Sequence, residues 1–300
     1  MNNYVTDISK SQEYISFRSN IPLRKIVVDS NQEWRIYDSG PKSVGCPLVC
    51  LPPVSGTADV FFKQLLGLSS KGIRVISAEH PVYWTVNDWC DGFKKLLDYL
   101  KLDKIHLFGA SLGGFLAQKF AEYTHNHPRV ASLILCNAFI DTSVFSYNES
   151  ASIFWMLPSL VLKKMVMGNF TMQHTDKRII ESIDFMVEKL DSISQQELAS
   201  RLTLNCVNCY VEPQNLTRID NITIIDVFDD YALTSPVREE IYKVYPSAKL
   251  AHLKSGGNFP YLSRSDEVNL HLQVHLNRFL DSDLSAHERS KSEEIKPSET

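Results

Sequence analysis

Ser111 lies in the run Phe108-Gly109-Ala110-Ser111-Leu112-Gly113-Gly114, directly after the apolar stretch Lys104 to Phe108 and directly before a helical pattern. G-x-S-x-G between a strand and a helix is the signature of a nucleophile elbow. The turn is tight and holds the serine in strained backbone geometry above the strand, so small residues must surround it. Such a serine performs acyl transfer. It needs a base for its proton, an acid to orient the base, and N–H donors for the oxyanion.

The base is missing from its expected segment, which reads Gly256-Gly257-Asn258-Phe259-Pro260. An asparagine cannot take a proton from serine near neutral pH. By analogy with subtilisin, losing the histidine alone costs about a millionfold in turnover. His252 lies inside a strand and cannot take over without a rebuilt loop; His80 follows an earlier strand and is expected to be structural. The acid should follow the strand Ile222 to Val227, where the chain reads Phe228-Asp229-Asp230-Tyr231-Ala232-Leu233. The usual Gly-x-x-Asp spacing is not kept, and in register Tyr231 rather than Asp230 falls in the acid's slot. The two aspartates are expected to cap the helix beginning near Ser235-Pro236, with Asp141 a weaker candidate acid. The degenerate triad positions are therefore Ser111, Asp230 and Asn258.

The oxyanion donors expected in this frame are the N–H of Leu112 and one from the loop Leu51-Pro52-Pro53-Val54-Ser55-Gly56-Thr57, where Val54 falls at the donating position. Pro52-Pro53 stands where hydrolases usually carry His-Gly, and proline has no N–H to give. A stiffened oxyanion hole and a plain rigid connector are both open.

These groups need a frame. Short apolar runs at Pro47 to Leu51, Ile73 to Ala78, Lys104 to Phe108, Val130 to Cys136, Ile222 to Val227 and Lys249 to Leu253 read as buried parallel strands. Helical patterns separate them at Ala58 to Ser69, Asn87 to Leu100, Leu112 to His125, Val237 to Tyr245 and Glu267 to Leu280. Arg24 to Asp29 and Glu33 to Asp38, joined through Ser30-Asn31-Gln32, read as a hairpin. The fold class is α/β: a mostly parallel doubly wound sheet of the α/β-hydrolase type with a helical lid insertion. Such a sheet binds ligands outside the carboxyl ends of its strands.

The core is expected over residues 21–140 and 220–281, and the lid over 141–219, with helices at Phe154 to Phe170, Lys177 to Ser192 and Gln195 to Leu204. The lid's Trp155, Met156, Met165, Met167 and Phe170 are expected to pack on the sheet edge and pocket roof. The alternative is an exposed patch flanked by Lys163 and Lys164. Residues 1–20 are expected to be poorly ordered. So is the charged, serine-rich tail, 282–300.

At 300 residues and a net charge of −4, the chain can bury one large core and carries no basic footprint for nucleic acid. Its most apolar stretch, Ile153 to Leu162, is interrupted by Pro158 and falls short of the about 20 residues a spanning helix needs. Residues 1–20 contain no apolar signal core, and a cytosolic protein with reduced thiols is expected. Cys206-Val207-Asn208-Cys209 has no second pair beside it to complete a zinc site. His271 and His275, at i and i+4, lack the glutamate of H-E-x-x-H and are expected to face solvent or bond locally. No cofactor and no metal are called for.

The chain resembles the maspardin (spastic paraplegia protein) family of the α/β-hydrolase superfamily from about Ile21 to Leu280. The stretches that carry the resemblance are Leu51 to Phe62, Gly109 to His125, Ala199 to Cys206 and Gly256 to Leu262. It implies a cytosolic protein partly associated with endosomal and trans-Golgi membranes. It also implies protein–protein contacts, including the cytoplasmic tail of a T-cell co-receptor whose signalling is dampened. No substrate comes with it. The residues favour a catalytically degenerate frame, and the resemblance implies that it serves as an adaptor. A slow serine hydrolase with an unconventional base, and a ligand sensor without turnover, are the alternatives.

Overall fold

The computed structural model describes residues 7–29, 32–145, 153–170 and 176–288. One sheet organises them, with strands β1 (Arg24–Asp29), β2 (Gln32–Ser39), β3 (Leu48–Leu51), β4 (Val75–Glu79), β5 (Ile105–Ala110), β6 (Val130–Cys136), β7 (Ile222–Val227) and β8 (Lys249–Leu253) in the order β1-β2-β4-β3-β5-β6-β7-β8. β2 is antiparallel to both of its neighbours, and every pair from β4 to β8 is parallel. The central strands β3 to β7 are almost entirely buried, because helices cover both faces. The hairpin turn expected at Ser30 and Asn31 lies outside the described residues.

One face carries α3 (Val86–Tyr99), α4 (Leu112–Tyr123) and α8 (Ser235–Val244), packed into a continuous apolar layer. α3 shows why: Val86, Trp89, Cys90, Phe93, Leu96 and Leu97 recur at helical spacing and are buried, while Thr85 caps its first turn through the Asp88 N–H. The other face carries α1 (Gln12–Asn20), α2 (Phe62–Ser69), α9 (Pro260–Ser263) and α10 (Ser265–Leu276). Between β6 and β7 the chain builds α5 (Ser159–Met167), α6 (Lys177–Ser192) and α7 (Gln195–Cys206), the last opened by a Ser194–Glu197 capping box.

Both terminal expectations need correction over the described residues, 7–20 and 282–288; residues 1–6 lie outside them. Ser11 caps α1, and the helix plants Tyr14 and Phe17 in the core, Tyr14 edge-on to Phe62 and Phe185 and Phe17 against Tyr37. Two aromatic side chains at i and i+3 suffice to dock a segment that is polar on average. Of the tail, residues 282–288 lie on the body: the Ala286 carbonyl accepts from the Arg74 N–H and the Glu288 N–H donates to the Gly72 carbonyl. Backbone bonds, invisible to composition, hold that strap. Residues 289–300 lie outside the described residues. Among the described residues no helix is long and apolar enough to cross a membrane.

Candidate functional site

The elbow forms at the end of β5. Ser111 has φ 49° and ψ −117°, and its N–H donates to the Cys136 carbonyl on β6 at 3.0 Å. Left-handed φ is costly for a non-glycine residue and persists only where its surroundings impose it. Here they do. A Cβ on Gly109 would lie 2.3 Å from the Gly113 carbonyl oxygen, and one on Gly113 would lie 2.1 Å from that of Leu51. α4 begins at Leu112, whose N–H precedes the first intrahelical acceptor and stays available as a donor.

The loop expected to give the second donor is clamped from the lid. Gly56 N–H closes a turn on the Pro53 carbonyl at 2.9 Å. Arg201 of α7, 1 % exposed, donates to the Gly56 carbonyl at 2.6 Å, the Val54 carbonyl at 3.2 Å and Glu79 at 2.9 Å. Glu79 in turn accepts from the Ala58 N–H and from Arg35, both at 3.1 Å. Val54 lines the same cavity as Ser111, in a loop whose shape Arg201 fixes. Sequence reasoning missed Arg201, because nothing near it in the chain points back to residue 54.

Asn258 stands beside the cavity, and both ends of its amide are in use. Its Oδ1 accepts from the Ala232 N–H at 2.8 Å, and its Nδ2 donates to the Asn169 carbonyl at 3.4 Å. It therefore ties the loop after β7 to the end of the lid helix α5. Asn137, after β6 and itself at φ 46°, donates to the Gly257 carbonyl at 3.0 Å and the Asn258 carbonyl at 3.4 Å.

The acid segment departs from expectation. Asp230 is exposed, and neither aspartate caps α8, whose N-cap Thr234 makes no side-chain capping bond. Asp229 instead accepts from the Gly256 N–H at 2.9 Å and the Gly257 N–H at 3.1 Å, because that glycine loop passes closer than the helix start. The buried carboxylate is Asp226, inside β7 and 3 % exposed. It accepts from Tyr231 at 2.8 Å, from Arg238 at 3.2 Å and from the Tyr242 hydroxyl. Burial and the neighbouring Asp226 charge push the Tyr231 phenol well up, so it stays protonated. The acid's slot holds a phenol that donates. Asp141 is used locally, accepting from Ser143.

The cavity, of about 280 Å³, is walled by Ser111, Val54, Asn137 and Asn258 on one side and by lid residues including Met165 and Phe170 on the other. Among the described residues no histidine, lysine, arginine, aspartate or glutamate lines it. Burial raises the Cys206 thiol there to about 11. Among the described residues, nothing on the wall accepts a proton at neutral pH. His80 is sealed against Trp34, Tyr83 and Trp89, with its Nδ1 donating to the Pro81 carbonyl at 2.7 Å. His252 stacks on Phe228 on the β8 side.

The lid's apolar residues split between the two readings. Met165 and Phe170 face the cavity, while Trp155 and Met156 are 60 % and 65 % exposed, beside exposed Leu160 and Val161. The packing expectation fails for Trp155 and Met156 because they sit on the solvent side of the chain, while Phe154 and Leu157 turn inward. Lys163 does not flank that patch as a free cation, since it pairs with Asp191 at 3.3 Å.

An elbow over a β1-β2-β4-β3-β5-β6-β7-β8 sheet defines the α/β-hydrolase class. The alpha/beta hydrolase fold family matches residues 47–177. Solved structures agree on the fold: a thermophilic esterase from Thermogutta terrifontis has TM-score 0.72 at 18% identity, covering 89% of this chain and 100% of its own. The enol-lactonase from Burkholderia xenovorans has TM-score 0.70 at 17% identity, covering 85% and 100%. Within that class the chain belongs to the maspardin family. It is 59% identical to maspardin of Mus musculus over 91% of this chain and 89% of that protein, and 58% identical to that of Homo sapiens over the same shares.

Proposed function

We propose that this chain works by binding rather than by hydrolysis, as a protein-binding adaptor or regulator on a retained hydrolase frame. Its partner on this reading is the cytoplasmic tail of a membrane receptor, with a T-cell co-receptor tail as the family's suggestion. Its place is the cytosol and, peripherally, endosomal or trans-Golgi membranes. One observation carries the non-catalytic part: the residue in the base's position spends both ends of its amide on tying the Ala232 N–H to the Asn169 carbonyl. The exposed Trp155, Met156, Leu160 and Val161 support a binding role, since an apolar cluster on a lid offers a surface to a partner. A fluorophosphonate probe at neutral pH tests the first part. No label on Ser111 in the folded protein is expected, and label lost in Ser111→Ala would overturn it. The second part is tested by Trp155→Ser with Met156→Ser: recruitment to receptor-tail peptide or membrane should fall, and unchanged recruitment rejects that surface.

The preserved strain at Ser111 and the cavity beside it favour one second reading, a pocket that holds an uncharged carbonyl or acyl compound with little or no turnover. A wall without charged side chains among the described residues disfavours an ionised ligand. Slow hydrolysis and mere occupancy separate on whether a bound ester is released intact.

A further inference from the structure

Away from the elbow, two histidines and two hydroxyls form one hydrogen-bonded chain beneath the carboxy-terminal strap. His106 Nε2 meets the Leu284 carbonyl at 2.7 Å and His106 Nδ1 meets Ser132 Oγ at 2.7 Å. Ser132 Oγ meets His275 Nε2 at 2.7 Å, and His275 Nδ1 meets Thr223 Oγ1 at 2.8 Å. Donor and acceptor roles follow by elimination. A carbonyl only accepts, so His106 carries its proton on Nε2 and, when neutral, accepts at Nδ1 from Ser132. Having given its one hydrogen away, Ser132 accepts from His275 Nε2, which leaves His275 Nδ1 to accept from Thr223. Every position is filled when both rings are neutral. The cluster is no second active site: Ser132, His106 and His275 are 0 % exposed, and no carboxylate bonds to either ring.

We infer that the strap, residues 284–288, is an acid-released latch, held shut by this neutral chain and undocked when either imidazole gains a proton. A proton added at His106 reverses the chain's direction, and one added at either ring strips the Thr223 hydroxyl of its acceptor. It also adds a charge that neighbouring basic groups oppose: His287 at His106, and His106, Arg278 and Lys249 at His275. Hydrating that charge requires opening one side. β5, β6, β7 and α10 are sheet and core. The strap is held by His106, by the Arg74 N–H on Ala286 and by the Glu288 N–H on Gly72. It is the cheapest element to lift, as local openings run through the segments with fewest buried contacts.

The sign follows from the two states. Burial first, then the basic neighbours, hold His275 down to about 3; burial also holds His106 down to about 4. An open imidazole titrates near about 6.5. Each ring's contribution to the latch is therefore full above about pH 6.5 and fades as pH falls from there toward its closed value. Between pH 7.5 and 5.5 the opening equilibrium rises about tenfold per histidine released.

Hydrogen exchange on the full chain tests this, with rates corrected for the intrinsic effect of pH. Peptides covering residues 72–75 and 284–288 should lose protection about tenfold or more at pH 5.5, while α4 stays protected. Unchanged strap protection, or loss in step with α4, overturns the latch. His106→Gln keeps a donor for the Leu284 carbonyl without a titratable ring, and should shrink the pH response about tenfold; an undiminished response overturns the role of His106. Should that variant not fold, the imidazole C–H resonances of the wild type decide. Titration near pH 6.5 with the strap still protected rejects the proposal, and titration only on loss of strap protection supports it.

Discussion

The Asn258 side-chain oxygen accepts the Ala232 backbone N–H at 2.8 Å, so the residue in the base's position is a bracket between two loops. Neither Asp229 nor Asp226 is free to orient a histidine placed there. Asp229 is taken by the N–H groups of Gly256 and Gly257, and Asp226 by Tyr231, Tyr242 and Arg238. Asn258→His should therefore leave Ser111 unlabelled by a fluorophosphonate probe. Losing the bracket should lower stability by about 1 kcal/mol, the worth of one net hydrogen bond. Appearance of label at neutral pH shows instead that the frame is one substitution from activity.

The strain at Ser111 predicts a gain on its removal. Glycine adopts positive φ readily, and the observed φ 49°, ψ −117° mirrors an ordinary extended conformation. Ser111→Gly should raise unfolding free energy by about 1 kcal/mol, read from urea denaturation. A loss of stability would mean that the hydroxyl makes a contact worth more than the strain.

Arg201 holds the loop of residues 53–56 from the lid, and its guanidinium is the buried partner of Glu79. Arg201→Ala strands a buried carboxylate and two carbonyls, a loss of about 3–5 kcal/mol. Arg201→Lys should recover little of it, because an ammonium cannot span all three acceptors. Urea midpoints of the two variants check both statements.

His80 is sealed among aromatic rings, and burial, followed by the Arg201 charge, lowers it to about 3. Its folded value lies below its unfolded one, so its share of stability is present above about pH 6.5 and is lost as pH falls toward 3. Between pH 7.5 and 5.5 that share is about 1.4 kcal/mol. His80→Asn keeps a donor for the Pro81 carbonyl without the titration. The slope of unfolding free energy against pH should flatten by that amount.

Much of the frame was legible in the residues. The apolar runs at 105–110 and 222–227 and the i, i+3, i+4 spacing in α3 depend on local order, and local order is what a sequence displays. Asn258 and the proline pair before Val54 were readable for the same reason. What escaped was long-range bonding by polar side chains. Asp229 was expected at a helix start and instead bonds the loop 27 residues on; Arg201 reaches back 147 residues to Val54. The terminal segments were misjudged similarly, since Tyr14 and Phe17 find their partners on α2, β2 and α6. Trp155 and Met156 failed differently: hydrophobicity says a side chain prefers burial, not which side of its segment will meet the core.

One consequence concerns α1. Tyr14 receives the Lys189 ammonium at 2.9 Å and shares Asp59 with it, so a single buried contact joins the chain's beginning to the lid helix α6 and to the segment just past the clamped loop. The first helix is thus a handle on the lid: a tag, a cleavage or a bound protein that tugs at residues 11–20 will be felt at α6.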